Sequence, residues 1–281
     1  MIRFRNVTKS YPRTGDAVRD VTFHIRKGEF AFLTGHSGAG KTTLLQLIHF
    51  QTRPSEGQVQ VSRYNSNRVK RRQIPDLRRR IGYVFQDFKL LDRLTAAENI
   101  AFALEVTGTA RREIDGRVQR LLSQVGLAAK AQSIPEELSG GERQRVVIAR
   151  ALATDPLVLL ADEATGNLDP RAADGVFQLF RTLNRLGMSV VMATHDAQLI
   201  RNNPEIRVLE LEHGRLVYDS AAASAAAAVD AAKAAAVSET AQEPSPTAVP
   251  DAAPTGAPEP GQTIAPSAVA ESAVPEAEET P

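Results

Sequence analysis

At 281 residues with 42% apolar content, the chain has enough hydrophobic material for one large domain or two small ones, and it needs no covalent staples. It has no cysteine, which excludes disulfides, thiolate metal sites and cysteine nucleophiles, and its histidines (His24, His36, His49, His195 and His213) are scattered without ligand spacing. The net charge of +1 conceals a division: residues 221–281 carry nine acids and one lysine, whereas residues 1–220 hold 33 bases against 24 acids.

The chain opens on Met1-Ile-Arg-Phe-Arg, which alternates like a strand and lacks the apolar run of a signal peptide, so export is not expected. Alternation predicts half-buried strands over residues 2–7 and 18–25. Lys27-Gly28-Glu29 then turns into a short apolar strand at residues 30–33. A glycine-rich loop follows, and residues 41–50 have helical character. From about 87 to 156 helical patterns dominate, among them 95–104, 111–125 and 142–153, which predicts a helical subdomain inserted into a sheet-bearing core. Residues 157–161 and 189–193 read as fully buried strands of a parallel sheet. Residues 207–212 and 215–217 form a hairpin around His213-Gly214. Strand, loop and helix in alternation make the fold class α/β. Beyond residue 220 the composition is mostly Ala, Pro, Glu, Ser and Thr, with too little apolar mass to offset the entropy of ordering. Residues 221–281 are therefore predicted to be a disordered acidic tail, with a marginal helix near 221–236. No run of about 18 apolar residues occurs, so any membrane role must come through a partner.

Gly35-His36-Ser37-Gly38-Ala39-Gly40-Lys41-Thr42 fits G-x-x-x-x-G-K-[ST] and lies between a predicted strand and a predicted helix, the context a phosphate-binding loop requires. The glycines let successive N–H groups face the phosphates of a nucleotide, and the helix start adds partial positive charge. Lys41 reaches the terminal phosphates, Thr43 belongs with the nucleotide-binding residues, and Thr42 can bind Mg2+. Catalysis is assigned to neither His36 nor Ser37. The apolar strand at 157–161 delivers Asp162 and Glu163 at its carboxyl end, where open parallel sheets place their ligands. Asp162 can hold the Mg2+ shell while Glu163 deprotonates an attacking water. Leu138-Ser139-Gly140-Gly141-Glu142 precedes a helix, with Ser139 placed to cap it and two glycines that let N–H groups approach an anion. One nucleotide does not need two such cradles on one face, so the second is read as serving another copy of the chain.

These residues, in this order, resemble the ATP-binding-cassette (ABC) family across residues 1–220: a P-loop ATPase cassette with a RecA-like core, an antiparallel β subdomain and an inserted helical subdomain at about 87–156. The resemblance implies ATP and Mg2+ as cofactors and a homodimer of cassettes. It further implies that Tyr11 stacks on adenine, that Gln86 in Val84-Phe-Gln-Asp87 is the Q-loop glutamine, that Gly166-Asn-Leu-Asp169 is the D-loop and that His195 is the switch histidine. Tyr11 also reads as an ordinary surface tyrosine and Gln86 as part of a plain polar loop.

Within that family the words Thr34-Gly-His-Ser-Gly-Ala-Gly40, Leu160-Ala-Asp-Glu163 and Met192-Ala-Thr-His-Asp196 are most similar to the FtsE family of bacterial cell-division ATPases. That likeness implies an FtsX-like integral membrane partner, a place on the cytoplasmic face of the membrane at the division site, and indirect control of cell-wall hydrolases. The alternatives are the energy subunit of a lipoprotein-releasing or small-molecule exporter, and a division scaffold that binds ATP without needing turnover. A soluble ABC protein of translation or DNA repair is disfavoured because each motif occurs once. Ala164 departs from the proline that commonly follows the catalytic glutamate, and the acidic tail has no counterpart in the short family members. A basic cluster at 68–72 and 78–80 reads either as a solvated face or as a surface for anionic lipid or an acidic partner; no aromatic platform is interleaved, so no nucleic acid is expected.

Overall fold

The computed structural model of the protein describes residues 1–223; the disorder expected of the acidic tail and most of the helix expected near 221–236 fall outside the described residues. The first two strands, β1 (Ile2–Tyr11) and β2 (Gly15–Ile25), pair antiparallel with Ile2 opposite Ile25 and Phe4 opposite Phe23. Their alternation turns Ile2, Phe4, Val7, Val18, Val21, Phe23 and Ile25 inward, and the Phe4 and Phe23 rings stack 4.5 Å apart. Both strands run further than alternation alone predicts. Asn6 and Asp20 take left-handed backbone angles (φ 46 and 47), which these two residue types tolerate, and the Asn6 amide donates to Asp20 at 3.0 Å. The ladder slips there and continues to Tyr11, beyond the point where the sequence stops alternating.

Next come β3 (Phe30–Thr34), α1 (Lys41–Ile48), β4 (Glu56–Val61), β5 (Tyr64–Asn65), α2 (Ile74–Arg79) and β6 (Ile81–Val84). The middle of the described chain is helical, with α3 (Ala96–Val106), α4 (Arg111–Gln124) and α5 (Gly140–Leu152). It returns to the sheet through β7 (Val158–Asp162), α6 (Pro170–Arg185), β8 (Ser189–Ala193), α7 (Ala197–Arg201), β9 (Arg207–Glu212) and β10 (Arg215–Asp219). Two sheets result: an antiparallel one in the order β2-β1-β4-β5, and a six-stranded one in the order β10-β9-β3-β8-β7-β6, parallel from β9 to β6. The hairpin β9–β10 turns on His213 and Gly214, both left-handed (φ 47 and 77), the pairing a two-residue hairpin requires.

In the six-stranded sheet, β3, β8, β7 and β6 are buried on both faces, whereas β10 lies largely at the surface. Alternate residues of β3 divide between two apolar cores: Phe30 and Phe32 join Ile100, Val118, Val147, Phe177 and Phe180 on the helical side. Ala31 and Leu33 join Phe4, Leu44, Leu45 and Leu160 between the two sheets. Each fully buried Leu or Phe contributes about 1.5–3 kcal/mol, so both faces fix the register of the central strands. Among the described residues, no helix is long and apolar enough to cross a membrane.

His49 closes α1 and lies edge-on to the Tyr83 ring at 5.3 Å, with its Nδ1 buried and without a hydrogen-bond partner among the described residues. Burial, aided by the Arg78 guanidinium, pushes its imidazole down to about 4 from an ordinary 6.5. The unfolded chain takes up this proton near 6.5, whereas the folded chain refuses it until about 4, so the stability present above that window is lost as pH falls through it. Urea unfolding is expected to show the wild-type chain losing about 2 kcal/mol more than His49→Phe between pH 7 and pH 5. Equal losses in the two proteins would show that His49 titrates normally.

Candidate functional site

The site begins where β3 runs out of apolar residues. The chain turns at Gly35 (φ 138), where a Cβ would lie 2.2 Å from the carbonyl oxygen of Leu211 on β9, so no other residue passes there. Gly40 (φ 107) is left-handed and equally tight, its missing Cβ falling 2.5 Å from Ala17 O. Between them His36, Ser37 and Gly38 are exposed and Ala39 is buried. The loop hands the chain to α1, whose start has no side-chain cap and no acid in its first turn, so its N–H groups and partial positive charge remain available to an anion.

Lys41 is the first residue of that helix and is only 6% exposed. Its ammonium donates to the carbonyls of Gly35 (2.9 Å) and His36 (3.1 Å) and lies 3.7 Å from Glu163 Oε1. Thr42 follows at the surface and donates to Asp162 Oδ1 at 3.3 Å; Thr43 is half-buried behind it. Asp162 ends β7, and its second oxygen, Oδ2, accepts the Tyr83 hydroxyl at 3.2 Å. Burial raises the Asp162 pKa, against the hydrogen bonds from Tyr83 and Thr42 that favour the carboxylate. Burial, and then the Asp162 charge, push the Tyr83 hydroxyl far above the ordinary tyrosine range, so it is a donor at every working pH.

Glu163 is the next residue, and its backbone is left-handed (φ 49), a conformation that costs a side-chain-bearing residue about 1–2 kcal/mol. The strain has a visible result. Its N–H donates to Ala193 O on β8, and its carboxylate swings away from the Asp162 contacts to lie 3.3 Å from His195 Nδ1 as well as beside Lys41. The His195 side chain remains 64% exposed. Glu163, Thr165, Gly166, Leu168, Thr194 and His195 line a groove of about 680 Å3.

The second cradle forms as its sequence predicts. Ser139 Oγ accepts from Glu142 N at 3.2 Å while Glu142 Oε2 accepts from Ser139 N at 2.9 Å, and that backbone bond holds the Glu142 carboxyl below its usual range. The Gly140 and Gly141 N–H groups keep no protein acceptor among the described residues. Asp169 caps α6 by accepting from Ala172 N at 3.0 Å, and a Cβ on Gly141 would meet that of Ala172 at 2.9 Å, so α5 and α6 start in contact. Ser139, Gly141, Glu142, Arg145, Asp169 and Arg171 line a cavity of about 400 Å3.

The residues therefore gather in two groups: Gly35 to Thr43 with Asp162, Glu163 and His195, and Ser139 to Glu142 with Asp169. No hydrogen bond joins the two among the described residues. Gln86 is exposed just beyond β6, and its side chain makes no hydrogen bond among the described residues. Tyr11 ends β1 half-buried; its hydroxyl donates to Gln46 at 3.4 Å, and the Lys9 ammonium sits 4.9 Å from the ring centroid. Tyr83 is the contributor that sequence reasoning missed. Its only signal is the four-residue run Ile81-Gly-Tyr-Val84, which on β6 lies beside Val158 to Ala161.

Residues 18–166 match the family model described as ABC transporter. The cell division ATP-binding protein FtsE of Escherichia coli (strain K12) is 50% identical over 216 residues, covering 77% of this chain and 97% of that protein. The FtsE of Mycobacterium tuberculosis is 48% identical over 220 residues (78% and 95% covered), and that of Bacillus subtilis is 43% identical over 221 (79% and 96% covered). Among solved structures, the ATP-binding cassette MJ0796 bound to ADP and Pi, described as the dimeric structure of a post-hydrolysis state, is 35% identical with a TM-score of 0.68, covering 78% of this chain and 97% of its own.

Proposed function

This chain belongs to the ABC transporter family, as an ATPase of the FtsE kind, and from that premise we propose that it is the ATP-binding and ATP-hydrolysing subunit of an FtsE–FtsX-like complex. In this reading two copies close over two nucleotides on the cytoplasmic face of the cell membrane at the division site. Closure acts through an FtsX-like membrane protein on cell-wall hydrolases outside. Residues 1–220 form the cassette, with the helical subdomain at about 87–156.

The observation that carries the reading is the division of labour on one chain: a complete phosphate loop with its carboxylates and histidine at the ends of β3, β7 and β8, and a separate helix start with two glycine N–H groups that have no acceptor among the described residues. The N–H groups of Gly35, His36, Ser37, Gly38, Ala39 and Gly40, with Lys41 and Thr43, hold the phosphates, and Tyr11 stacks on adenine. Thr42 and Asp162 present two hard oxygen donors 3.3 Å apart, the donor type Mg2+ prefers, with Gln86 approaching from its loop. When bound, the cation offsets negative charge on the β- and γ-phosphates. Glu163, turned by its backbone toward Lys41 and His195, takes the proton of the attacking water, and His195 donates to the γ-phosphate. Ser139, Gly140, Gly141, Glu142 and Asp169 serve the nucleotide of the second copy. Loss of the γ-phosphate contacts reopens the pair, and α3, which leaves Phe102 and Val106 exposed, passes the motion to the membrane protein.

The test replaces the resident copy with Glu163→Gln, scores division, and recovers the trapped complex from membranes. Chained or filamentous cells, with a small multi-span division protein in the pull-down, are expected. Normal division with a substrate exporter in the pull-down would sink the division role and leave the ATPase standing.

A further inference from the structure

Asp162 ends in a carboxylate whose terminal torsion is soft and close to two-fold, so the residue alone does not determine which oxygen faces Thr42. In this structure both oxygens are taken, Oδ1 by Thr42 at 3.3 Å and Oδ2 by the Tyr83 hydroxyl at 3.2 Å. The tyrosine is itself held. Its ring stacks on Phe85 at 4.3 Å and meets the edge of His49 at 5.3 Å, while the pairing of β6 with β7 fixes its backbone beside Leu160. A chain of contacts thus runs from the end of α1 through one ring to one carboxylate oxygen.

We propose that Tyr83 is a positioning residue for the cation-binding carboxylate: its hydroxyl sets the rotation of Asp162 so that Oδ1 is presented with Thr42. The proposal rests on the reading of Thr42 and Asp162 as the side chains that meet Mg2+. It assigns the hydroxyl a task distinct from that of the ring, which packs whether or not the oxygen is present. Phenylalanine at this position keeps the ring contacts and frees the carboxylate to rotate.

The full chain is compared with Tyr83→Phe and Asp162→Asn, using Mn2+ as the probe, titrated in the presence of ATP and followed by electron paramagnetic resonance. ATP binding in EDTA is measured in parallel. The ordinary net worth of one hydrogen bond predicts that Tyr83→Phe raises the half-saturating Mn2+ concentration about threefold to tenfold, while metal-free ATP binding stays within about twofold. Asp162→Asn, which removes the charge, shifts Mn2+ binding further. Mn2+ binding within about twofold of wild type, or an equal weakening of metal-free ATP binding, would overturn the positioning role, since one hydrogen bond predicts a larger, metal-specific shift. Failure of the wild-type chain to retain Mn2+ with ATP would overturn the underlying reading as well.

Discussion

Glu163→Gln is expected to lower ATP turnover at saturating nucleotide by about 10²–10⁴-fold, the usual worth of a positioned general base, while ATP affinity stays within about threefold. The geometry behind this is specific. The left-handed backbone at Glu163 separates its carboxylate from that of Asp162, although the two are neighbours in sequence. Asp162 is left with Thr42 and Tyr83, and Glu163 with Lys41 and His195. Glutamine keeps the shape and the hydrogen-bonding reach of glutamate but cannot accept the proton. Phosphate release reads the rate, and equilibrium binding reads the affinity. Gel filtration with ATP and Mg2+ is expected to show the variant held as a dimer. A rate within tenfold of wild type would place the base elsewhere, and a lost dimer would deny the glycine N–H groups of the second cradle their role.

Lys41→Ala is expected to raise the dissociation constant for ATP by about 30-fold to several thousandfold, corresponding to the 2–5 kcal/mol lost when one member of a buried charge pair is truncated. Lys41 is nearly enclosed, and its partners are the Gly35 and His36 carbonyls and the Glu163 carboxylate. These groups hold the ammonium at the mouth of the loop. Its removal leaves two carbonyls short of a donor and leaves the Glu163 carboxylate facing the phosphates without a neighbouring positive charge. Nucleotide titration by fluorescence or calorimetry checks the loss. Binding within about fivefold of wild type would show that the N–H groups of the loop suffice without the cation.

The phosphate loop was legible in the sequence because the motif and its context are both local: eight residues, an apolar strand before and a helix after. The same holds for the capping box at Ser139 and Glu142, which forms within one helical turn. The hairpin at His213-Gly214 is legible for a similar reason, since the turn chemistry lies in two residues. The long-range geometry was not. β6 is four residues long, includes a glycine and follows a run of arginines, so alternation does not reveal it, and with β6 missing Tyr83 had no position. α6 does not stand among the predicted elements, although its cap and its proline are plain in Asp169-Pro170, because Asp169 reads equally as a residue that meets a nucleotide. The strained backbone at Glu163 depends on the bond from its N–H to Ala193, a strand that lies 30 residues further along.

The order of the strands in the larger sheet also governs how this protein is made. β3 carries the phosphate loop, yet both of its sheet neighbours, β8 and β9, are translated more than 150 residues after it. Until they emerge, β3 is an apolar strand with two open edges. Thr42 and Asp162, 120 residues apart, have no frame that fixes their spacing, because β8 is the strand that joins β3 to β7. At a synthesis rate of about 5–20 residues per second, the interval on the ribosome is about ten to thirty seconds. Nucleotide can stabilise only a chain that already has its site, so it cannot assist the early part of this folding reaction. The same central placement that surrounds the site with rigid strands in the finished protein thus leaves the nascent chain, for that interval, dependent on whatever shields an unpaired strand edge in the cell.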